Sequence, residues 1–360
     1  TIIFTSGSTG TPKGVQLTQQ NIGSNIDGVD QVISLKKEDT IAGILPLFHS
    51  FGYTISMWGP MALNIQGVYH FSPLDARQVG KLVQENKATI LLATPTFLRT
   101  FMKRCTPEEF KTLEVVVVGA EKMPSELAEE FEQKYGVRPI EGYGTTELSP
   151  LVSVNVPPTR RLDNFQVDCK EGTVGRPIAN VAVKVLDLDD GRELGSDEAG
   201  MLWIKGPNVM AGYLHQPELT AEVLVDGWYK TGDVALIDAD GFIKITGRVS
   251  RVSKIGGEMV PHVKGEEALT NLSGSGEEQM SLAVTAVPDP RKGERLVVLY
   301  TALGKTPEEL CKGLSAQGFP NLFIPGLDSF YMVESLPLLG TGKIDLRGLK
   351  QMALEVAGGK

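Results

Sequence analysis

Apolar residues in the first half of the chain fall in short runs, at positions 41–45, 88–93, 114–118 and 139–141, with longer stretches of mixed polarity between them. Runs this short, rich in Val, Ile and Leu, predict strands buried on both faces; the amphipathic stretches 76–85 and 125–135 predict helical crossovers. The rhythm is that of an α/β sheet. Ser125, followed by Glu126, Glu129, Glu130 and Glu132, predicts a helix N-cap with acidic residues at the positive end of the helix dipole. From about residue 173 to 246 the pattern changes to strands at 181–186, 200–205 and 242–246. These are punctuated by Asp190-Gly191, Asp226-Gly227 and Asp240-Gly241, the turn pairs of a compact, mostly β subdomain. Beyond Arg248, strand-like runs at 282–287 and 296–302 and helix-like segments at 306–317 and 346–356 predict a small α+β domain without internal repeats. The expected division is an α/β part over 1–172, a β-rich subdomain of the same domain over 173–247, and a separate α+β domain over 248–360.

The chain has 360 residues, enough for two or three cores. Its 44 acidic and 35 basic residues give a net charge of −9, which argues against a general nucleic-acid-binding surface. Cys105, Cys169 and Cys311 are odd in number and far apart, so neither a disulfide framework nor a zinc site is expected, and a reducing, cytoplasmic setting fits best. Residues 40–74 contain no Asp, Glu, Lys or Arg, and about 20 apolar residues would span a bilayer. Pro46, His49, Gly52, Gly59, Pro60 and Asn64 interrupt the stretch too often for that, and buried helix and strand lining a pocket are expected instead. The sequence opens at Thr1 inside a predicted strand, so an N-terminally truncated larger domain is expected, with membrane association only through other parts of a longer protein.

Candidate chemistry begins where Ile2, Ile3 and Phe4 run into Thr5, Ser6, Gly7, Ser8, Thr9, Gly10, Thr11, Pro12, Lys13 and Gly14. Glycines let backbone N–H groups converge on an anion, hydroxyls add donors, and a lysine supplies the cation for a leaving phosphate. The common phosphate-loop pattern G-x-x-x-x-G-K-[ST] is excluded, because Pro12 stands where its second glycine belongs. A flexible Ser/Gly linker is the competing reading; the preceding strand and the Pro12-Lys13-Gly14 ending oppose it. A second loop runs Glu141, Gly142, Tyr143, Gly144, Thr145, Thr146, Glu147. Tyr143 could stack on a base, Thr146 offer a hydroxyl to phosphate, and Glu147 a hard oxygen to Mg²⁺. In isolation the same residues could form a tight turn ahead of an acidic helix start. A third segment, Trp228 to Asp233, ends in a carboxylate suited to ribose hydroxyls, or in an ordinary turn aspartate.

Taken together, these segments, with Gly247-Arg248 and 337–343, stand in the order and spacing of the adenylate-forming (AMP-binding) superfamily, and the chain resembles an acyl-activating enzyme over essentially its whole length. Residues 46–52, 119–122, 154–157, 205–210, 254–260 and 336–343 are closer still to the acyl-ACP synthetase part of bifunctional 2-acylglycerophosphoethanolamine acyltransferases.

The resemblance implies that a fatty acid and ATP, with Mg²⁺, give acyl-AMP and pyrophosphate, and that the acyl group passes to the thiol of acyl carrier protein or of CoA; a CoA ligase for another carboxylate, and a nucleotide-binding fragment without turnover, are the alternatives. It implies that Lys13 and its loop hold the β- and γ-phosphates, Glu147 holds Mg²⁺, and Thr146 meets the α-phosphate region. Gly119, Ala120, Glu121, Gly142, Tyr143, Gly144 and Thr145 would frame the nucleotide, and Asp233 and Arg248 its ribose. Lys343 would reach the carboxylate and α-phosphate during adenylation. His49 matches a gate beside the acyl pocket, with a satisfied core histidine as its alternative. Gly256 and Gly257 would border the thiol's tunnel once the last domain, a mobile lid, has swung about a pivot near Ser250. Relatives often carry Asp or Lys at that pivot, and an acidic helix start where this chain has His262-Val263-Lys264-Gly265. Arg248, Arg251, Lys254, Arg291, Lys292 and Arg295 could offer a face to an acidic carrier, or be ordinary solvated charges.

Overall fold

A computed structural model describes residues 1–6, 12–161, 167–274, 281–338 and 344–358. The chain forms two compact units. The first comprises 1–5, 13–231 and 235–245; the second comprises 6–12, 232–234 and 246–360.

The first unit is built on a seven-stranded sheet ordered Gln66–Tyr69, Thr40–Gly43, Ile90–Ala93, Val115–Val118, Ile140–Gly144, Leu151–Val154, Arg176–Pro177. The first five strands are parallel and the last two run antiparallel to their neighbours. Strands Thr40–Gly43, Ile90–Ala93 and Val115–Val118 are buried at every position, as their unbroken apolar sequences require. Their side chains divide with period two. Leu91, Ala93, Val116 and Val118 enter one core with Val79, Leu98, Phe101 and Phe131 of the crossover helices. Ile90, Leu92, Val115 and Val117 enter another with Val29 and Ile33 of the helix Gln19–Ile33. The result is an α/β sandwich of helices about a mostly parallel sheet. On it are a five-stranded sheet ordered Ala182–Leu186, Gly200–Lys205, Trp228–Ile237, Leu224–Val225, with Ile243–Arg248 paired to Trp228–Ile237, and a three-stranded sheet of Ile2–Ser6, Pro12–Gln16 and Gly212–Tyr213. Asp226 and Gly227 close the hairpin Leu224–Val225/Trp228–Ile237 with positive φ at both positions (51° and 77°), the two-residue turn that the Asp-Gly pair predicts.

The second unit has its own sheet, ordered Glu258–Pro261, Val252–Ile255, Gly293–Tyr300, Leu282–Asp289, with Phe330–Met332 parallel to Gly293–Tyr300. Val284, Ala286, Leu296 and Val298 face Leu269, Leu310 and Leu314 of the helices His262–Ser273 and Pro307–Ala316. Ala283, Val287, Val297 and Leu299 face Leu349 and Ala353 of the helix Leu346–Gly358. Each face of this sheet thus closes against helices of the same unit.

Two local expectations are corrected. Ser125 is the first residue of its helix rather than its cap: Pro124 holds the cap position, with no side-chain hydrogen bond, and Glu126 still meets the positive end of the dipole. The uncharged residues 40–74 are not buried throughout. They form the strands Thr40–Gly43 and Gln66–Tyr69, a π-helical stretch Gly52–Trp58 and the helix Gly59–Leu63, but leave Phe48 and Phe71 83% and 91% exposed. The helix His262–Ser273 runs straight through Gly265, because Leu269 and Ala268 are buried in the unit's core and offset the glycine's poor propensity. Among the described residues no helix is long and apolar enough to cross a membrane.

Candidate nucleotide site

Lys13 lies on the strand Pro12–Gln16, which pairs antiparallel with Gly212–Tyr213 so that Tyr213 stands opposite Val15. Alternation puts Lys13 and Val15 on one face of that strand. The Lys13 ammonium sits over the Tyr213 ring, 5.1 Å from its centroid. Thr5 is half-buried on the strand Ile2–Ser6, and the backbone of Ser6 ends that strand. Gly7, Ser8, Thr9 and Gly10 lie outside the described residues.

The second loop grows out of the sheet. Strand Ile140–Gly144 pairs with Leu151–Val154 through a register shift at Tyr143/Gly144, and Thr145 N–H donates to the Pro150 carbonyl. A Cβ on Gly144 would stand 2.0 Å from the Pro150 oxygen. The chain's own return therefore already requires the glycine. Tyr143 is half-buried. Thr146 Oγ1 lies 3.2 Å from Ser50 Oγ, and Thr145 Oγ1 is buried with no hydrogen-bond partner among the described residues. Glu147 follows in a short 3₁₀ turn, where the Tyr213 hydroxyl donates to its Oε1 at 2.8 Å. Its Oε2 has no hydrogen bond or ion pair among the described residues. The Glu147 carbonyl in turn accepts from Met210 N–H at 2.8 Å, and Asn208 Nδ2 donates to the Leu148 carbonyl at 3.0 Å, so the segment that carries Tyr213 is tied to this loop by backbone as well.

Gly119 and Ala120 end the strand Val115–Val118. With His49, Ser50, Phe51, Gly142, Gly144, Thr145 and Thr146 they line a cleft. Ala120 has φ 67°, a left-handed conformation that costs a non-glycine residue about 1 kcal/mol or more. His49 is exposed at this cleft, which removes the core-histidine alternative and leaves the rim position. Glu121 instead serves its own fold, accepting from Thr96 Oγ1 at 2.7 Å and from Thr96 N–H at the start of the helix Pro95–Arg104.

In the second unit, Arg248 Nε donates to Asp233 Oδ1 at 2.6 Å, so the two residues expected at a ribose are brought together, Asp233 buried and Arg248 half-exposed. Gly256 and Gly257 form the two-residue turn of the hairpin Val252–Ile255/Glu258–Pro261, with φ 59° and 89°. The turn alone accounts for both glycines. Arg251 pairs with the buried Glu266, and Arg295 donates to Ser329 Oγ at 2.9 Å, so neither is an unengaged surface charge. Lys343 lies outside the described residues.

Tyr213 escaped the sequence reading. It is one residue past the apolar 208–212 region, and its partners lie 66 residues away at Glu147 and on an N-terminal strand, so no local pattern marks it.

A helix-flanked, mostly parallel sheet with a β-rich part attached, and with a lysine and a carboxylate gathered on one tyrosine beside hydroxyl-bearing loops, defines the class of the first unit. Residues 1–214 match the AMP-binding enzyme family, and the chain belongs to it. A 3-methylmercaptopropionyl-CoA ligase of Ruegeria pomeroyi is 31% identical over 99% of the chain, and a long-chain-fatty-acid–CoA ligase of Yersinia pestis 29% identical over 98%. ATP-bound MatB from Rhodopseudomonas palustris is 26% identical with a TM-score of 0.82 over 99% of the chain. The chain spans 66%, 61% and 68% of these three proteins respectively.

Proposed function

We propose that this chain is the nucleotide-handling portion of an acid–thiol ligase that joins a fatty acid to AMP and then passes the acyl group to a thiol. The observation that supports it best is the gathering of Lys13 and Glu147 on Tyr213, beside the hydroxyls of Thr145 and Thr146. A cation for a departing pyrophosphate and a hard carboxylate oxygen are what phosphoryl chemistry asks of its site. One available carboxylate oxygen next to phosphate-binding hydroxyls fits Mg²⁺, which keeps waters and takes one or two carboxylates plus substrate phosphates. Among the described residues there is no cluster of acidic or His/Cys side chains that would cage an ion alone.

In this reading a carboxylate oxygen of the fatty acid attacks the α-phosphorus, the bond from that phosphorus to the bridging oxygen breaks, and pyrophosphate leaves with the electron pair. Thiolate sulfur then attacks the acyl carbon and AMP leaves. Mg²⁺, when bound, would neutralise phosphate charge. Lys13 offsets charge on the β- and γ-phosphates, Thr146 donates near the α-phosphate, and Lys343 brings a cation to the carboxylate and α-phosphate. Gly119, Ala120 and Tyr143 lie along the adenine, Asp233 and Arg248 hold the ribose, His49 stands at the acyl entrance, and Gly256-Gly257 flank the path of the thiol.

ATP–pyrophosphate exchange in the full-length protein, driven by palmitate and compared with acetate, benzoate and amino acids, tests the reading. Palmitate-dependent exchange is expected; no exchange with any acid removes the ligase. Lys343→Ala is expected to lower exchange by about a hundredfold, the scale of losing one group that stabilises transition-state charge, while ATP binding is retained. For the acceptor, the resemblance carried together by residues 46–52, 119–122, 154–157, 205–210, 254–260 and 336–343 favours acyl carrier protein, whereas the two relatives above are CoA ligases and favour CoA. Thioester yield on phosphopantetheinylated carrier protein against CoA, at equal concentration, separates the two.

A further inference from the structure

Tyr213 is 5% exposed and belongs to a strand of only two residues, yet it contacts both charged groups of the candidate site. Its hydroxyl donates to Glu147 Oε1 at 2.8 Å, and its ring lies under the Lys13 ammonium at 5.1 Å. Because Glu147 is an acceptor, the Tyr213 proton points to it. The Tyr213 backbone is fixed as well, through its pairing with Val15 and its N–H bond to Thr220 Oγ1 at 2.9 Å.

We propose that Tyr213 is a positioning residue. It occupies Oε1 of Glu147 and so presents Oε2 alone to a divalent cation, and it sets the distance between that cation and the Lys13 ammonium. The inference rests on the reading of Glu147 as the Mg²⁺-holding carboxylate. A carboxylate with one oxygen held by a rigid donor binds metal through the other with little reorientation; without the donor it is free to rotate and to bind in several ways.

The test uses Mn²⁺ as the metal probe, with free Mn²⁺ followed by electron paramagnetic resonance in the presence of ATP and full-length protein. Tyr213→Phe keeps the ring under Lys13 and removes only the hydroxyl. It is expected to weaken Mn²⁺–ATP binding by about tenfold, the lower end of what loss of an outer hydrogen bond to a metal-holding group costs. In ATP–pyrophosphate exchange, the metal concentration for half-maximal rate rises by a similar factor, while the rate at saturating metal changes less. Glu147→Gln is the reference. If it weakens Mn²⁺–ATP binding and Tyr213→Phe does not, the positioning role is overturned while the metal role of Glu147 stands. If Glu147→Gln leaves Mn²⁺–ATP binding unchanged, both fall.

Discussion

His262 begins the helix His262–Ser273 and is 4% exposed, with Nε2 2.9 Å from Ser253 Oγ. Burial, and after it the Arg251 guanidinium, push its pKa down from 6.5 to about 4; Lys350 acts in the same sense and Glu294 against it. Between these values the unfolded chain binds a proton that the folded one refuses, so stability is full above about pH 6.5 and falls as pH drops toward 4. The contribution of this one group is on the order of 3 kcal/mol. Glu266, nearby and buried, has its pKa raised chiefly by burial and contributes in the opposite sense, so the total slope is not that of His262 alone. Chemical denaturation at pH 7 and pH 4.5 should therefore show a smaller loss of stability in His262→Gln than in the unaltered protein. An equal loss in both would assign the acid sensitivity to other groups. Two glycines give contrasting predictions by packing. Gly144→Ala drives a Cβ to 2.0 Å from the Pro150 oxygen and is expected to cost about 1–3 kcal/mol, as overpacking does when the neighbour is backbone. Gly265→Ala meets nothing within 4 Å inside a helix and is expected to stabilise by about 0.5–1 kcal/mol. Urea midpoints of the two variants should move in opposite directions.

At the scale of elements, what the sequence revealed followed how locally each element is determined. The runs at 88–93 and 114–118 could be read because they are buried on both faces, and the observed strands Ile90–Ala93 and Val115–Val118 form their C-terminal parts. Asp226-Gly227 could be read because a two-residue hairpin needs positive φ at both positions. The start of the helix Ser125–Tyr135 could not be fixed to the residue, since Pro124 competes for the cap and a proline leaves no side-chain signature there. The stretch 40–74 misled because lack of charge does not distinguish a buried side chain from an exposed Phe48 or Phe71. The site divides in the same way. The loops bearing Lys13, Thr146 and Glu147 announce themselves through glycines and hydroxyls clustered in sequence. Tyr213 does not, because its importance comes from sheet pairing with Val15 and from contacts across 66 residues. Glu121, a polar residue inside a recognisable motif, is engaged in starting the helix Pro95–Arg104, which the motif does not reveal.

At the scale of the molecule, the second unit's sheet takes all five strands from residues 252–332, and its two core clusters draw only on residues 255–357. Arg251 pairs with Glu266, Arg248 with Asp233 of the short 232–234 segment, and Lys350 with Glu294 at 3.3 Å. Of these only Asp233 lies outside 246–360, and Arg248 is half-exposed, so an ion pair there adds at most about 1 kcal/mol. A contiguous segment with its own two-sided core and internally paired charges should fold alone. Residues 246–360 expressed by themselves are expected to show a cooperative thermal transition and dispersed amide resonances. The full chain should show two calorimetric transitions, with His262→Gln altering the acid response of one and Gly144→Ala lowering only the other. A single transition in the full chain, together with an unfolded 246–360 fragment, would show that the second unit takes its stability from the first. Lys13, Thr146, Glu147 and Tyr213 all belong to the first unit, so the isolated 246–360 fragment is also expected to bind no Mn²⁺–ATP above background. Folding and nucleotide binding are thereby separable in one molecule, and a destabilising substitution in one unit can be told from a loss of ligand contact in the other.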